Sequence, residues 1–318
     1  MDSDVISIAE NLGTTAAKLY MLSNNYSPKN KRHGSRYANY HKVTIQKPGS
    51  HKSRTLHVPN GFLKMIQRRI LDKYLYTLEV SEFSTAYRKG TNLLDNALPH
   101  VGKECVLKLD ISDFFGSIDD DAVYMAMKGL GLSVPATALL THLCTYHGIL
   151  PQGAPTSPYI ANLVMRHFDG KLGKFCISRN IAYTRYCDDM TFSGSREDIL
   201  RAKLPGKVKA MLAARNFILN DSKTVLVYAS RQQRVTGIVV NEKTTVPRSS
   251  RREIRQQVYY CRKFGAQDCI RRKGLDITPE KYLSGLLGRI TFALQTDPEN
   301  KQMQEHFRTV REMIGKLT

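Results

Sequence analysis

Two adjacent acids, Asp188 and Asp189, stand in the run Ile181-Ala182-Tyr183-Thr184-Arg185-Tyr186-Cys187-Asp188-Asp189-Met190-Thr191-Phe192. Apolar and β-prone residues flank them on both sides, which predicts a β-hairpin with the acids at its turn. Neighbouring carboxylates repel, so a fold that presents them together calls for a cation between them, and hard oxygen ligands suit Mg2+. Taken alone, Asp-Asp is also an ordinary solvated turn. A second strand-like run, Val106-Leu107-Lys108-Leu109-Asp110-Ile111-Ser112-Asp113-Phe114-Phe115, carries Asp110 where the alternation breaks. Laid beside the hairpin, it would bring three carboxylates around two metal ions. Such ions lie about 3.5–4 Å apart and hold the attacking and leaving oxygens of an in-line phosphoryl displacement. The chemistry implied is nucleotide addition: one ion acidifies a primer hydroxyl, and the other neutralises the departing pyrophosphate.

The elements that must position these acids belong to a chain of 318 residues with a formal net charge of +20. That length supports a large core or several subdomains sharing one. A positive surplus of this size favours a polyanionic partner through counterion release. An acidic membrane surface competes for the same charge. However, no apolar run approaches the roughly 20 residues that span a bilayer, and no basic amphipathic anchor stands out. The start, Met1-Asp2-Ser3-Asp4, is acidic and has no signal-peptide core. The expectation is nucleic acid, no membrane and a cytoplasmic location. The six cysteines, Cys105, Cys144, Cys176, Cys187, Cys261 and Cys269, form no C-x-x-C pair or zinc spacing. They read as small buried hydrophobes in a reducing compartment.

Periodicity predicts a helix over residues 5–22 behind a Ser3 or Asp4 cap, then a basic polar stretch from Asn24 to His41 that is either a surface facing nucleic acid or a linker. A hairpin is expected from residues 41–45 and 53–58 around Pro48-Gly49-Ser50. Helices are expected over 62–78, 121–130 and 157–175, and a strand-turn-strand over 234–240. Beyond Pro247 the composition turns basic, with Arg251, Arg252, Arg255 and Arg262 at spacings that suit one helix face. That marks either a separate helical subdomain or a single solvated face.

Between the two acidic motifs lies Leu150-Pro151-Gln152-Gly153-Ala154-Pro155-Thr156-Ser157-Pro158, whose Pro and Gly residues fix the backbone path ahead of a helix start. Asp110, this loop and the Asp188-Asp189 hairpin, in that order, closely resemble the palm of reverse transcriptases, over nearly the whole chain. Asn96-Ala97-Leu98-Pro99-His100 resembles the N-A-x-x-H element of bacterial retron reverse transcriptases, and Val235-Thr236-Gly237 their V-T-G element. One departure is Cys187, where many relatives have Ala; altered packing under the primer end is expected, without loss of metal ligation. The resemblance implies an α+β right-hand polymerase fold: N-terminal helix and fingers over 1–104, a palm over 105–246 with a fingers insertion around 125–165, and a basic helical thumb over 247–318.

The resemblance also assigns roles. Asp110, Asp188 and Asp189, with the Ile111 carbonyl, would bind two Mg2+ ions, Mn2+ being a substitute. Asp113 would position the following loop, and the Ser112 and Asp113 amides would meet the triphosphate. Phe115 would face the incoming sugar and block a 2′-OH, arguing for dNTPs, unless Phe114 takes that place. Gln152 and Gly153 would line the nucleotide pocket. Arg54, alone or with Lys47 or Lys52, would clamp phosphate, and Lys223 would protonate or neutralise pyrophosphate, if it is more than a surface lysine. Asn96, His100, Val235, Thr236 and Gly237 would touch RNA. Arg251, Arg252, Arg255 and Arg262 would grip an A-form hybrid by shape and backbone. The implied partners are a cognate structured RNA, its DNA product branched from a guanosine 2′-OH, a separate host RNase H and an effector protein in anti-phage defence. No part of the chain resembles an RNase H domain. A group II intron-type enzyme and a non-catalytic RNA-binding protein are the competing expectations.

Overall fold

The computed structural model describes residues 2–23, 39–46 and 53–317. In chain order the elements are α1 (Ser3–Asn11), α2 (Ala16–Ser23), β1 (Tyr40–Gln46), β2 (Ser53–Pro59), α3 (Gly61–Lys73), α4 (Leu93–Ala97), β3 (Cys105–Ser112), α5 (Asp120–Met127), α6 (Val134–Cys144) and α7 (Ser157–Ile177). They continue as β4 (Ala182–Tyr186), β5 (Asp189–Gly194), α8 (Arg196–Arg201), α9 (Leu204–Ala213), β6 (Ile218–Leu219), β7 (Val225–Tyr228), β8 (Arg234–Val235) and β9 (Ile238–Val239). The last helices are α10 (Arg248–Phe264), α11 (Ala266–Arg272), α12 (Pro279–Thr296) and α13 (Lys301–Gly315). The class is α+β, as expected.

The central sheet has the strand order β4-β5-β3-β6, with β7 also paired to β3. β3 and β6 run antiparallel, Ile111 opposite Leu219. β3 is buried along almost its whole length, which explains why its sequence reads as an apolar run interrupted by Asp110. The chain divides into two compact units: residues 1–91, 107–192 and 197–225 form one, and 92–106, 193–196 and 226–318 the other. In the first unit α7 buries Ile160, Met165, Phe168, Leu172 and Cys176. In the second, α10 buries Ile254, Gln257, Val258 and Cys261 at helical spacing. Of these, Ile254, Val258 and Cys261 join Leu283, Leu286, Ile290 and Val310 in one core. The basic region after residue 247 therefore folds as packed helices and not as a lone solvated face.

Several element boundaries differ from the periodicity. The first helix is two: α1 ends at Asn11 with Leu12 as its C-cap, and Gly13 takes φ +64 before α2, a conformation glycine adopts without a Cβ penalty. Its cap is Asp2, which accepts from the Asp4 and Val5 amides. Asp4 instead accepts from the Ser133 amide at 2.7 Å, outside its own helix. α3 stops at Lys73, where Tyr74 leaves helical dihedrals and a 3-10 turn, Leu75–Thr77, follows. That turn carries Leu75 into full burial, a tertiary demand that overrides helical continuity. The helix expected to 130 ends in α5 at Met127 plus a 3-10 turn to Leu130, closed by Gly131 at φ +69. β1 and β2 pair in antiparallel register, Thr44 opposite Thr55. Their Pro48-Gly49-Ser50 connection lies outside the described residues, as do Lys47, Lys52 and the basic stretch 24–38. All six cysteines are buried and none is disulfide-bonded. Among the described residues no helix is long and apolar enough to cross a membrane.

Candidate active site

A cavity of about 890 Å3 in the first unit is lined by Asp110, Asp188 and Asp189 together with Arg54, Ile111, Ser112, Asp113, Phe115, Gln152 and Lys223. Residues from five separated stretches of sequence thus meet in one place. β3 delivers Asp110, a buried carboxylate. The two-residue turn between β4 and β5 delivers Cys187 and Asp188, and β5 opens with Asp189. Strand and turn are tied directly, since the Ile111 amide donates to the Asp188 carbonyl at 3.1 Å.

The electrostatics of the cavity are those of crowded anions. Asp110 Oδ2 accepts from Lys223 Nζ at 2.7 Å, and Oδ1 accepts from Asn220 Nδ2 at 3.1 Å. The Asp110 bond raises Lys223 above the ordinary lysine range. Asp189 reaches solvent at the cavity mouth, yet the surrounding walls still desolvate its carboxyl. That burial pushes it up to about 6, with the charges of Asp188 and Asp110 adding to the shift. Among the described residues no three His, Cys, Asp or Glu side chains converge closely enough to hold an ion as they stand. The donor set nevertheless fits a hard divalent cation. Its oxygens are all carboxylate or backbone, its third charge is resisted, and a lysine ammonium already neutralises Asp110.

Around the acids the walls fall into place by local rules. Phe114 is buried against Phe217, with ring centroids 5.8 Å apart. Phe115 is half-buried along the cavity. Asp113 takes φ +42 and its carbonyl accepts from Ser117 N at 2.9 Å. Its carboxylate occupies the space that a Cβ on Gly116 would take. The Gln152 carbonyl accepts from His57 N at 2.8 Å, docking the Pro-rich loop on β2. Gly153 has φ +124, and a Cβ there would stand 2.9 Å from the His57 carbonyl oxygen. Gly153→Ala should therefore lift this loop off β2, lowering stability by more than about 1 kcal/mol. The KM for the incoming nucleotide should rise about tenfold, equivalent to ~1.4 kcal/mol of lost positioning. Thermal unfolding and single-nucleotide incorporation measure the two effects.

The cavity also contains residues that sequence reasoning passed over. Tyr87, His57, Tyr146 and Asn220 line it. Tyr87 adopts φ +56 and is half-exposed, and burial together with Cys187 raises its hydroxyl. Tyr146 packs on Tyr40 and His57, with centroids 4.5 and 5.2 Å away. Nothing in their spacing marks them; only Asn220, three residues before Lys223, stood near a residue already singled out.

The residues expected to touch RNA need correction in part. Asn96 is 1% exposed and His100 fully buried, and Val235 is buried with them. Asn96 donates to Thr236 Oγ1 at 3.4 Å, and His100 Nδ1 shares a 2.7 Å hydrogen bond with Ser193 Oγ. Buried polar groups satisfied this way hold structure, so these three side chains do not face RNA. Asn96 ties down the β8–β9 turn, where Thr236 at φ +46 and Gly237 at φ +87 form the accessible tip, while His100 is bonded to β5. On α10, Arg252, Arg255 and Arg262 are exposed, whereas Arg251 is half-buried.

Comparison with known proteins places the sequence in a family. The model of the reverse transcriptase (RNA-dependent DNA polymerase) family fits residues 45–240. The chain is 34% identical over 224 residues to the retron Ec86 reverse transcriptase of Escherichia coli, covering 70% of this chain and 69% of that protein. It is 31% identical over 279 residues to the retron Ec83 reverse transcriptase of Escherichia coli, covering 83% and 85%. Among solved structures, apo telomerase from Candida tropicalis superposes with a TM-score of 0.48 at 12% identity, over 96% of this chain and 68% of that one. The chain belongs to the reverse transcriptase family, and within it to the retron-type enzymes. Its activity is RNA-directed DNA polymerisation, in a family that works with divalent metal ions.

Proposed function

We propose that this enzyme copies part of its own structured RNA into single-stranded DNA joined to a guanosine 2′-OH of that RNA, adding dNTPs in an in-line displacement. The observation that carries this reading is the meeting of Asp110, Asp188 and Asp189 with Phe115 and the cations Arg54 and Lys223 in one cavity. Asp110, Asp188, Asp189 and the Ile111 carbonyl would hold two Mg2+ ions, with Mn2+ as a substitute. When bound, the ions supply a more acidic primer hydroxyl and neutralise charge on pyrophosphate. Arg54 on β2, which lines the same cavity, would clamp the triphosphate, and Lys223 would give a proton to the leaving oxygen. Ser112 and Asp113 offer backbone amides, and Gln152 and Gly153 bound the nucleotide. Phe115 presses on the sugar. The first unit carries fingers and palm, and residues 247–318 serve as a thumb gripping the hybrid with Arg252, Arg255 and Arg262.

A host RNase H that trims the template and an effector protein in anti-phage defence complete the proposal. The test is on nucleic acid that co-purifies with the protein expressed from its native locus, run on a denaturing gel before and after RNase and debranching enzyme. A discrete DNA band that shortens on treatment, and is missing from Asp188→Ala/Asp189→Ala, is expected. Heterogeneous unbranched DNA would overturn the branched product. RNA held equally by both proteins without any DNA would overturn the enzyme's role in making it.

A further inference from the structure

Asp169 on α7 and Arg185 on β4, neither of which reaches the cavity, form an ion pair with 0% side-chain exposure on both partners. Arg185 donates from Nε to Asp169 Oδ1 at 2.9 Å and from Nη2 to Oδ2 at 2.6 Å. These are the two parallel bonds that match a planar guanidinium to a carboxylate. The Tyr183 hydroxyl adds a third donor to Asp169 Oδ1 at 2.8 Å. The remaining guanidinium nitrogen, Nη1, donates at 2.8 Å to the carbonyl of Cys187, the residue that begins the turn carrying Asp188. A buried ion pair is often replaceable by apolar residues of similar volume without loss of stability. Its presence beneath this turn therefore points to a role other than stability.

The turn itself needs holding. Cys187 has φ +61, a left-handed conformation that non-glycine residues avoid. The charges of Asp188, Asp189 and Asp110 repel one another and act to open it. Two donors oppose that. The Cys187 carbonyl is fixed by Arg185, and the Asp188 carbonyl by the Ile111 amide. The base of the Arg185 side chain is clamped as well, its amide donating to the Phe83 carbonyl at 2.8 Å and its carbonyl accepting from the Thr85 amide at 2.9 Å.

We propose that the Asp169–Arg185 pair is a positioning device for the reaction, fixing the Cys187 backbone so that Asp188 and Asp189 are presented toward Asp110. The inference rests on those three acids being the reacting centre. Asp169 and Arg185 are positioning residues and touch no substrate. A side chain with a single nitrogen cannot reproduce the fork to Asp169 and the bond to Cys187 together, so Arg185→Lys keeps the charge and loses the geometry.

The test uses the full-length protein on poly(rA)–oligo(dT) with dTTP. Two changes are compared with wild type: Arg185→Lys, and the charge-neutral pair Asp169→Leu/Arg185→Met. Both should lower kcat about 10²-fold, the scale of a 1 Å misplacement at a reacting centre. The KM for dTTP and the affinity for primed template should stay within about threefold, as expected for a change that leaves uniform binding intact. Without metal, hydrogen exchange at the Ile111 amide should quicken at least about tenfold as its acceptor loosens. A folded variant of either kind with kcat within threefold of wild type, or with unchanged exchange at Ile111, overturns the proposal. If the apolar pair fails to fold, Arg185→Lys decides by the same readouts. Asp188→Ala runs alongside. If it still synthesises DNA, the reading of the acids has failed; if it is inactive while the pair variants run at full rate, only the positioning role has failed.

Discussion

Asp110→Asn is expected to remove DNA synthesis by at least about 10³-fold while leaving RNA bound. The magnitude follows from the several kcal/mol of charge stabilisation that a carboxylate-held cation supplies in phosphoryl transfer, at 1.36 kcal/mol per tenfold in rate. The replacement is nearly isosteric, and an amide oxygen in place of Oδ1 can still accept from Asn220, which lies 3.1 Å away in the wild type. Lys223, now 2.7 Å from Asp110 Oδ2, would lose its ion-pair partner but already has a side chain more than half exposed, so water can take that place. Removing one of three crowded negative charges relieves repulsion, and the thermal midpoint should not fall. Primer extension on poly(rA)–oligo(dT), with RNA binding measured in parallel, checks both halves. A variant retaining a tenth of wild-type synthesis would take Asp110 out of the chemistry.

Phe115→Val should relax the choice of sugar. Phe114 and Phe115 both line the cavity, but Phe114 is buried against Phe217 whereas Phe115 is half-buried; of the two neighbours, Phe115 offers an incoming nucleotide the more accessible ring. Discrimination by volume alone is worth about 1–3 kcal/mol, or roughly 10–200-fold. The ratio of kcat/KM for dTTP over UTP should drop by that factor in the variant. Most of the change should come from a gain with UTP, because the vacated volume admits the 2′-OH without removing any contact to phosphate. A ratio unchanged within threefold would move the sugar contact elsewhere in the cavity. Phe114→Val, by contrast, should lower stability by about 1–3 kcal/mol through the space it leaves against Phe217, with little change in sugar choice.

By itself the sequence determined the class of fold, the order of the motifs and the acids that the structure brings into one cavity. Asp110, Asp188 and Asp189 were legible because nucleotide transfer restricts residue type, and flanking β-prone runs restrict where such acids can stand. The helical region after Pro247 was legible from its basic, helix-spaced arginines, although its internal packing was not. Helix ends were misread where burial outweighed periodicity, as at Leu75, or where a glycine in left-handed conformation broke the helix, as at Gly13. Only the tertiary structure decided which face each side chain took. Asn96 and His100 read as surface contacts in sequence, but packing puts them inside, bonded to Thr236 and Ser193. Tyr87 reaches the cavity from a distant segment with no local pattern to announce it, and Asn220 is marked only by its nearness to Lys223. Asp169 and Arg185 are 16 positions apart and look like surface charges on a helix and a strand. They become a buried pair bonded to the Cys187-Asp188 turn because α7 packs against β4, a contact that no local spacing encodes.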